Sequence, residues 1–142
     1  MAFKYYLNEP DIGPKEAEYT TKVLEQGWLS GGGEFTKKFE DTFAQFIGVK
    51  HALAVQSGTA ALHTAMLAMG VKPGDKVVVP NYTCGACVTS VLQTGAEPVV
   101  IDIDPKTFGM DPTILEEVLS TQHIKVVMVV HVYGFPVRDF DQ

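Results

Sequence analysis

Ser57-Gly58-Thr59 lies between a short apolar run over 51–55 and a stretch of helix formers from Ala60 to Met69 that contains no breaker. A strand that turns abruptly into a helix aims the helix's free N–H groups at one point beyond the strand. Gly58 lets a ligand approach the backbone closely, and Ser57 or Thr59 can cap the helix while offering a hydroxyl. Free N–H groups, a hydroxyl and the positive end of the helix dipole together make a phosphate site; an ordinary N-cap is the plain alternative. A second candidate is Cys84-Gly85-Ala86-Cys87, which follows a predicted strand and opens a predicted helix. That is the setting of a thioredoxin-like dithiol, although two small, inert, buried side chains fit the spacing equally well. With no second cysteine pair and no histidine spacing to complete a site, no metal is expected. His131, with Tyr133 and Gly134 behind it, ends another apolar run. It lies on the expected active edge, and a hydrogen-bonded structural histidine is the plain alternative. Asp102 and Asp104 precede Pro105 and read as turn formers rather than as a carboxylate pair.

The elements that must position these residues follow from periodicity and punctuation. Asp11-Ile12-Gly13-Pro14 reads as the entry to a helix that runs to about Gln26, with Gly27 as its stop. Trp28-Leu29-Ser30 and three consecutive glycines, 31–33, predict a mobile loop or plain linker. Phe35, Phe39, Phe43 and Phe46 share one face of a helix over 34–47, expected in a core or an interface and ended by Gly48. From there strands and helices alternate. Strands are predicted at 51–56, 76–80, 98–103 and 126–131, with helices at 58–69, 84–94 and 112–120 between them. The helix at 58–69 is apolar nearly all round and should be buried on both sides, which makes His63 a packing residue. Apolar rather than alternating strands predict a parallel sheet covered on both faces, a three-layer α/β fold. Right-handed crossovers gather the strands' carboxyl ends on one edge, where ligands bind such sheets. Ser57–Thr59, Asn81–Cys84 and Tyr133–Gly134 should therefore meet there.

Composition narrows the function classes. A chain of 142 residues can bury a real core, and its net charge of -6 with a single arginine, Arg138, argues against a nucleic-acid partner. No apolar stretch is long enough to span a bilayer and the N-terminus lacks the apolar core of a signal peptide, so no membrane association and a cytoplasmic setting are expected. Two cysteines do not make a disulfide framework.

The run Ser57-Gly58-Thr59-Ala60-Ala61-Leu62, followed by Pro73-Gly74-Asp75-Lys76-Val77-Val78-Val79-Pro80, resembles the fold-type I pyridoxal-phosphate (PLP) aminotransferases. More narrowly it is similar to the DegT/StrS family. Gly27-Trp28-Leu29-Ser30 with Phe39-Glu40, Gly95-Ala96-Glu97-Pro98-Val99 and His131-Val132-Tyr133-Gly134 match in family order, so that the likeness runs over about residues 7–141. It implies the N-terminal part of a fold-type I large domain, with N-terminal helices over 14–47 and strand–helix units over 51–142. It further implies an aminotransferase that passes an amino group, typically from glutamate, to a nucleotide-linked keto-deoxysugar, as in perosamine-type amino-sugar and polysaccharide biosynthesis. A same-family dehydratase is the variant within this class.

The resemblance also distributes roles. Gly58 and Thr59, with Ser57 or Ala60, would anchor the PLP phosphate. Cys84 falls where the family usually has an aromatic residue stacked on the ring, and Tyr82 could substitute. Trp28, Ser30, Tyr82 and His131 become substrate or supporting candidates, and a homodimer is implied. The acidic partner of the pyridine nitrogen and the Schiff-base lysine are expected beyond Gln142, so no catalytic residue is assigned within the chain and a fragment is expected. None of its ten lysines is predicted on the carboxyl edge of a strand. Rival readings are a thioredoxin-like dithiol oxidoreductase using Cys84 and Cys87, and a non-catalytic phosphate-binding module.

Overall fold

The computed structural model describes residues 9–137. Lys4, Leu7, Asn8, Arg138 and the helix expected to begin near the C-terminus lie outside them. The chain divides into two compact units at Ala54 and Val55.

In the first unit α1 spans Pro14–Gln26 and α2 spans Glu34–Ile47. Pro14 starts α1, and Glu16 reaches back so that the Gly13 N–H donates to its Oε2 at 2.8 Å. Gly27 and Gly48 end the two helices in left-handed conformation, as their places in the sequence predict. The glycine stretch between the helices is a turn rather than an open linker. A Cβ on Gly33 would lie 2.6 Å from Trp28 Cδ1, so the indole packs where only glycine fits. Tyr19 of α1 meets Phe35 of α2 with ring centroids 5.7 Å apart, and Phe39 stacks on Phe43 at the same separation. The aromatic face expected in a core is nevertheless largely open within this unit: Phe39, Phe43 and Phe46 are all exposed.

The second unit contains α3 (Gly58–Ala68), β1 (Lys76–Pro80), α4 (Ala86–Gln93), β2 (Glu97–Ile101), α5 (Pro112–Thr121) and β3 (Val126–Val127), then a 3-10 turn at Val132–Gly134. The three strands form a sheet in the order β2-β1-β3, parallel throughout. Val77, Val78 and Val79 of the central strand are completely buried, and the pleat sends them to opposite faces. Val77 and Val79 pack with Met66, Cys87 and Val91 from α3 and α4. Val78 packs with Ile101, Met110 and Leu115, the last from α5. Helices therefore cover both faces of a parallel sheet, which is the three-layer α/β fold expected.

Several boundaries differ from expectation. The run over 51–56 forms no ladder among the described residues; Ala54 N–H donates instead to Glu40 Oε1 at 2.9 Å. The last strand is cut to Val126–Val127, although Met128 N–H still donates to the Val78 carbonyl at 2.9 Å. The second strand begins at Glu97 and stops at Ile101, because the chain then leaves the sheet for a turn closed by an antiparallel bridge between Ile103 and Met110. The helix expected to start at Cys84 starts at Ala86. α3 is not buried all round: Met66 is buried, whereas Leu67 and Met69 are exposed.

Candidate active site

The parallel sheet brings the carboxyl ends of β1 and β3 to one edge, and a cavity of about 460 Å3 opens there. Its walls are Tyr82, Thr83, Cys84 and Cys87 after β1, and Val130, His131, Val132 and Tyr133 after β3. Two of the three loop tips expected to converge thus share one cavity. Ser57–Thr59 is not among the residues lining it, although α3 and α4 pack together.

Ser57 caps α3 in extended conformation, and its Oγ accepts the Ala60 N–H at 3.2 Å. The Ala61 N–H is satisfied by the Ser57 carbonyl at 3.0 Å. The N–H groups of Gly58 and Thr59 have no acceptor among the described residues. A Cβ built on Gly58 meets nothing within 4 Å, so the space beside this backbone is open. Two free donors, a nearby hydroxyl and a helix of 11 residues whose dipole points the same way suit an anion.

Within the cavity wall Cys84 is exposed and Cys87 is buried. Thr83 Oγ1 stands 3.2 Å from Cys87 Sγ. The family resemblance singled out Cys84 for the ring and the dithiol reading used both cysteines; both residues line the cavity. Tyr82 lines it too, and its ring meets that of Phe108 at 5.7 Å between centroids. His131 Nδ1 accepts the Val137 N–H at 3.0 Å. A nitrogen that accepts carries no proton, so in the neutral ring the proton sits on Nε2. Asp102 accepts from Asn81 Nδ2, and Asp104 accepts the Lys106 N–H at 2.8 Å and the Thr107 hydroxyl at 3.2 Å. Asp104 thus holds a turn, as expected, whereas Asp102 ties the end of β1 to the end of β2.

Trp28 and Ser30 line a separate hollow of about 190 Å3 in the first unit, with Gly33 and Phe35. Sequence reasoning missed Phe108, which props Tyr82 from a turn where its φ is +57°. An aromatic residue in left-handed conformation has no sequence signal, because side chains rarely adopt it. Lys106 lies in a turn, after the carboxyl end of β2, and lines a different hollow with Phe108, Phe135 and Pro136. Lys76 and Lys125 do sit at the amino edge. Lys76 Nζ donates to Gln122 Oε1 at 2.9 Å and lies 3.8 Å from the Glu97 carboxylate, and Lys125 N–H pairs with the Lys76 carbonyl.

The model of the DegT/DnrJ/EryC1/StrS aminotransferase family matches residues 10–142. Among curated relatives, GDP-perosamine synthase of Caulobacter vibrioides is 45% identical over 125 residues, covering 88% of this chain and 33% of its own. The spore coat polysaccharide biosynthesis protein SpsC of Bacillus subtilis is 44% identical over 125 residues, covering 88% and 32%. Among solved structures, Spr1654 of Streptococcus pneumoniae in its PMP form superposes with a TM-score of 0.85 at 29% identity, covering 96% of this chain and 34% of that one. The chain thus spans about a third of the length of the relatives it matches. Among the described residues no helix is long and apolar enough to cross a membrane.

Proposed function

The chain belongs to the DegT/DnrJ/EryC1/StrS aminotransferase family, and from that premise we propose that it is the cofactor-binding part of a PLP-dependent aminotransferase acting on a nucleotide-linked keto sugar. Glutamate is the expected amino donor, and the setting is cytoplasmic amino-sugar and polysaccharide biosynthesis. The observation that carries this reading is the 45% identity to a GDP-perosamine synthase over 125 residues. The chain corresponds to the N-terminal part of the large domain. A homodimer completes the proposal, in keeping with the exposed aromatic residues Phe39, Phe43 and Phe46 on α2.

The residues present fit the cofactor. Gly58 and Thr59 have free N–H donors beside open space, which suits the phosphate. The Thr59 hydroxyl adds a donor, and Ala60 follows in the same first turn. Ser57 accepts from Ala60, and its own hydroxyl proton stays available to the phosphate. Cys84 would contact the ring through its thiol, with Tyr82 beside it in the cavity wall. His131, with its proton on Nε2, can donate to a substrate or cofactor oxygen without changing charge. Trp28 and Ser30 are proposed as substrate contacts. PLP, when bound, supplies an electron sink for carbanion chemistry. The chain's own contribution is to anchor, orient and shield from water.

The test supplies the enzyme carrying this chain with PLP, glutamate and a nucleotide-linked keto sugar, and measures 2-oxoglutarate together with aminated sugar. Equimolar formation of both is expected. Deoxygenation of the sugar without amination would show the family's dehydratase chemistry instead.

A further inference from the structure

Transamination makes no use of the pairing of Cys84 with Cys87, yet both residues line one cavity. Their environments differ: Cys84 is exposed and Cys87 is buried. The Cys87 N–H donates to the Cys84 carbonyl at 3.0 Å, which closes a four-residue turn. The end Cα atoms of such a turn lie within about 7 Å, near the span of about 4.4–6.8 Å that a disulfide bridges. Cys84 precedes α4, which begins at Ala86, so a bond between the two sulfurs breaks no hydrogen bond of the helix. Thr83 Oγ1, 3.2 Å from Cys87 Sγ, keeps the buried sulfur engaged on the side of this turn.

We propose that Cys84 and Cys87 form a reversible dithiol–disulfide couple in the cavity wall, oxidised by low-molecular-weight disulfides. Cys84 is the accessible thiol and reacts first. Its sulfur attacks the reagent disulfide, one thiol leaves with a proton, and Cys84 is held as a mixed disulfide. Cys87 Sγ then attacks the Cys84 sulfur and expels the second thiol. Two electrons pass from the two cysteines to the reagent disulfide, which leaves as two thiols, and the two protein protons end on them. The oxidised wall has no free thiol at position 84. That consequence for the cofactor rests on the function proposed above; the couple itself does not.

The purified full chain is equilibrated in glutathione buffers from reducing to oxidising, quenched in acid, alkylated and weighed by intact mass. Wild type should pass from two free thiols to none with no glutathione retained. Cys87→Ser should stop at one glutathione on Cys84. Cys87→Ala, which adds no buried hydroxyl, should do the same, with circular dichroism reporting the fold of each. Cys84→Ser should take up glutathione about tenfold more slowly, because its remaining thiol is sheltered. Wild type that accumulates the mixed disulfide without closing it would overturn the couple. So would equal rates of adduct formation at the two positions.

Discussion

The cap that Ser57 makes and the anchoring proposed for it can be separated by mutation. Ser57 Oγ caps α3 through the Ala60 N–H, so Ser57→Ala should cost about 1 kcal/mol of stability, and Ser57→Asp should recover most of it. Denaturant titration reads both. An Asp carboxylate would also repel a phosphate, so Ser57→Asp should keep stability and lose PLP affinity. Equal PLP affinity in Ser57→Asp and wild type would remove Ser57 from the anchor. The cap was legible because Ser-Gly-Thr before a run of helix formers has few other local solutions. The division of labour at Cys84 and Cys87 was not. Spacing puts both near one helix start, and which sulfur is exposed depends on how α4 packs against the sheet. Phe108 was hidden for a different reason: its conformation is imposed by the 103–110 turn, not by its own type. For the ring contact, Cys84→Tyr should be tolerated and should shift the absorbance of bound PLP. An unchanged spectrum would place the ring elsewhere.

The central strand sets the stability of the second unit. Val78 is completely buried between β2 and α5 residues, so Val78→Ala should cost about 2–3 kcal/mol through lost burial and a residual cavity. Val100 on β2 is half exposed, and Val100→Ala should fall below about 1 kcal/mol. Similar losses at the two sites would contradict the layered packing. Gly95, after α4, has φ +78°, and a Cβ there would lie 2.8 Å from Pro73 Cγ. Gly95→Ala therefore combines left-handed strain with a clash and should cost at least about 1–2 kcal/mol. Helices and the central strand were legible because apolar periodicity and end glycines coincide, as at Phe35–Phe46 with Gly48. The run over 51–56 looked no different from β1 in the sequence. Apolar content predicts burial, whereas a strand needs a neighbour to accept its hydrogen bonds, and none is paired with it among the described residues.

Across the whole second unit, the direction of the sheet decides which lysines can reach a ligand at its carboxyl edge. Lys76 and Lys125 start their strands and are tied to Gln122, Glu97 and one another's backbone. A strand of five residues is about 17 Å long, which separates them from the cavity after Tyr82 and His131. Lys106 shares the cavity's edge of the sheet but faces another hollow. Borohydride reduction of the 142-residue chain with PLP should therefore give no stoichiometric label. Any trace of adduct should map to Lys106 or to exposed lysines. A single fully labelled lysine would show that this chain holds its own covalent anchor. The most direct test of phosphate anchoring by the Ser57–Thr59 turn compares PLP with pyridoxal, its phosphate-free counterpart, on wild type and on Gly58→Val. The valine has room in the protein's own fold and occupies only the open space beside Gly58, so thermal stability should change little. Wild type should bind PLP at least about tenfold more tightly than pyridoxal, a difference of about 1.4 kcal/mol, and Gly58→Val should abolish that preference. Equal binding of the two compounds by wild type, or an undiminished preference for PLP in Gly58→Val, would contradict the assignment.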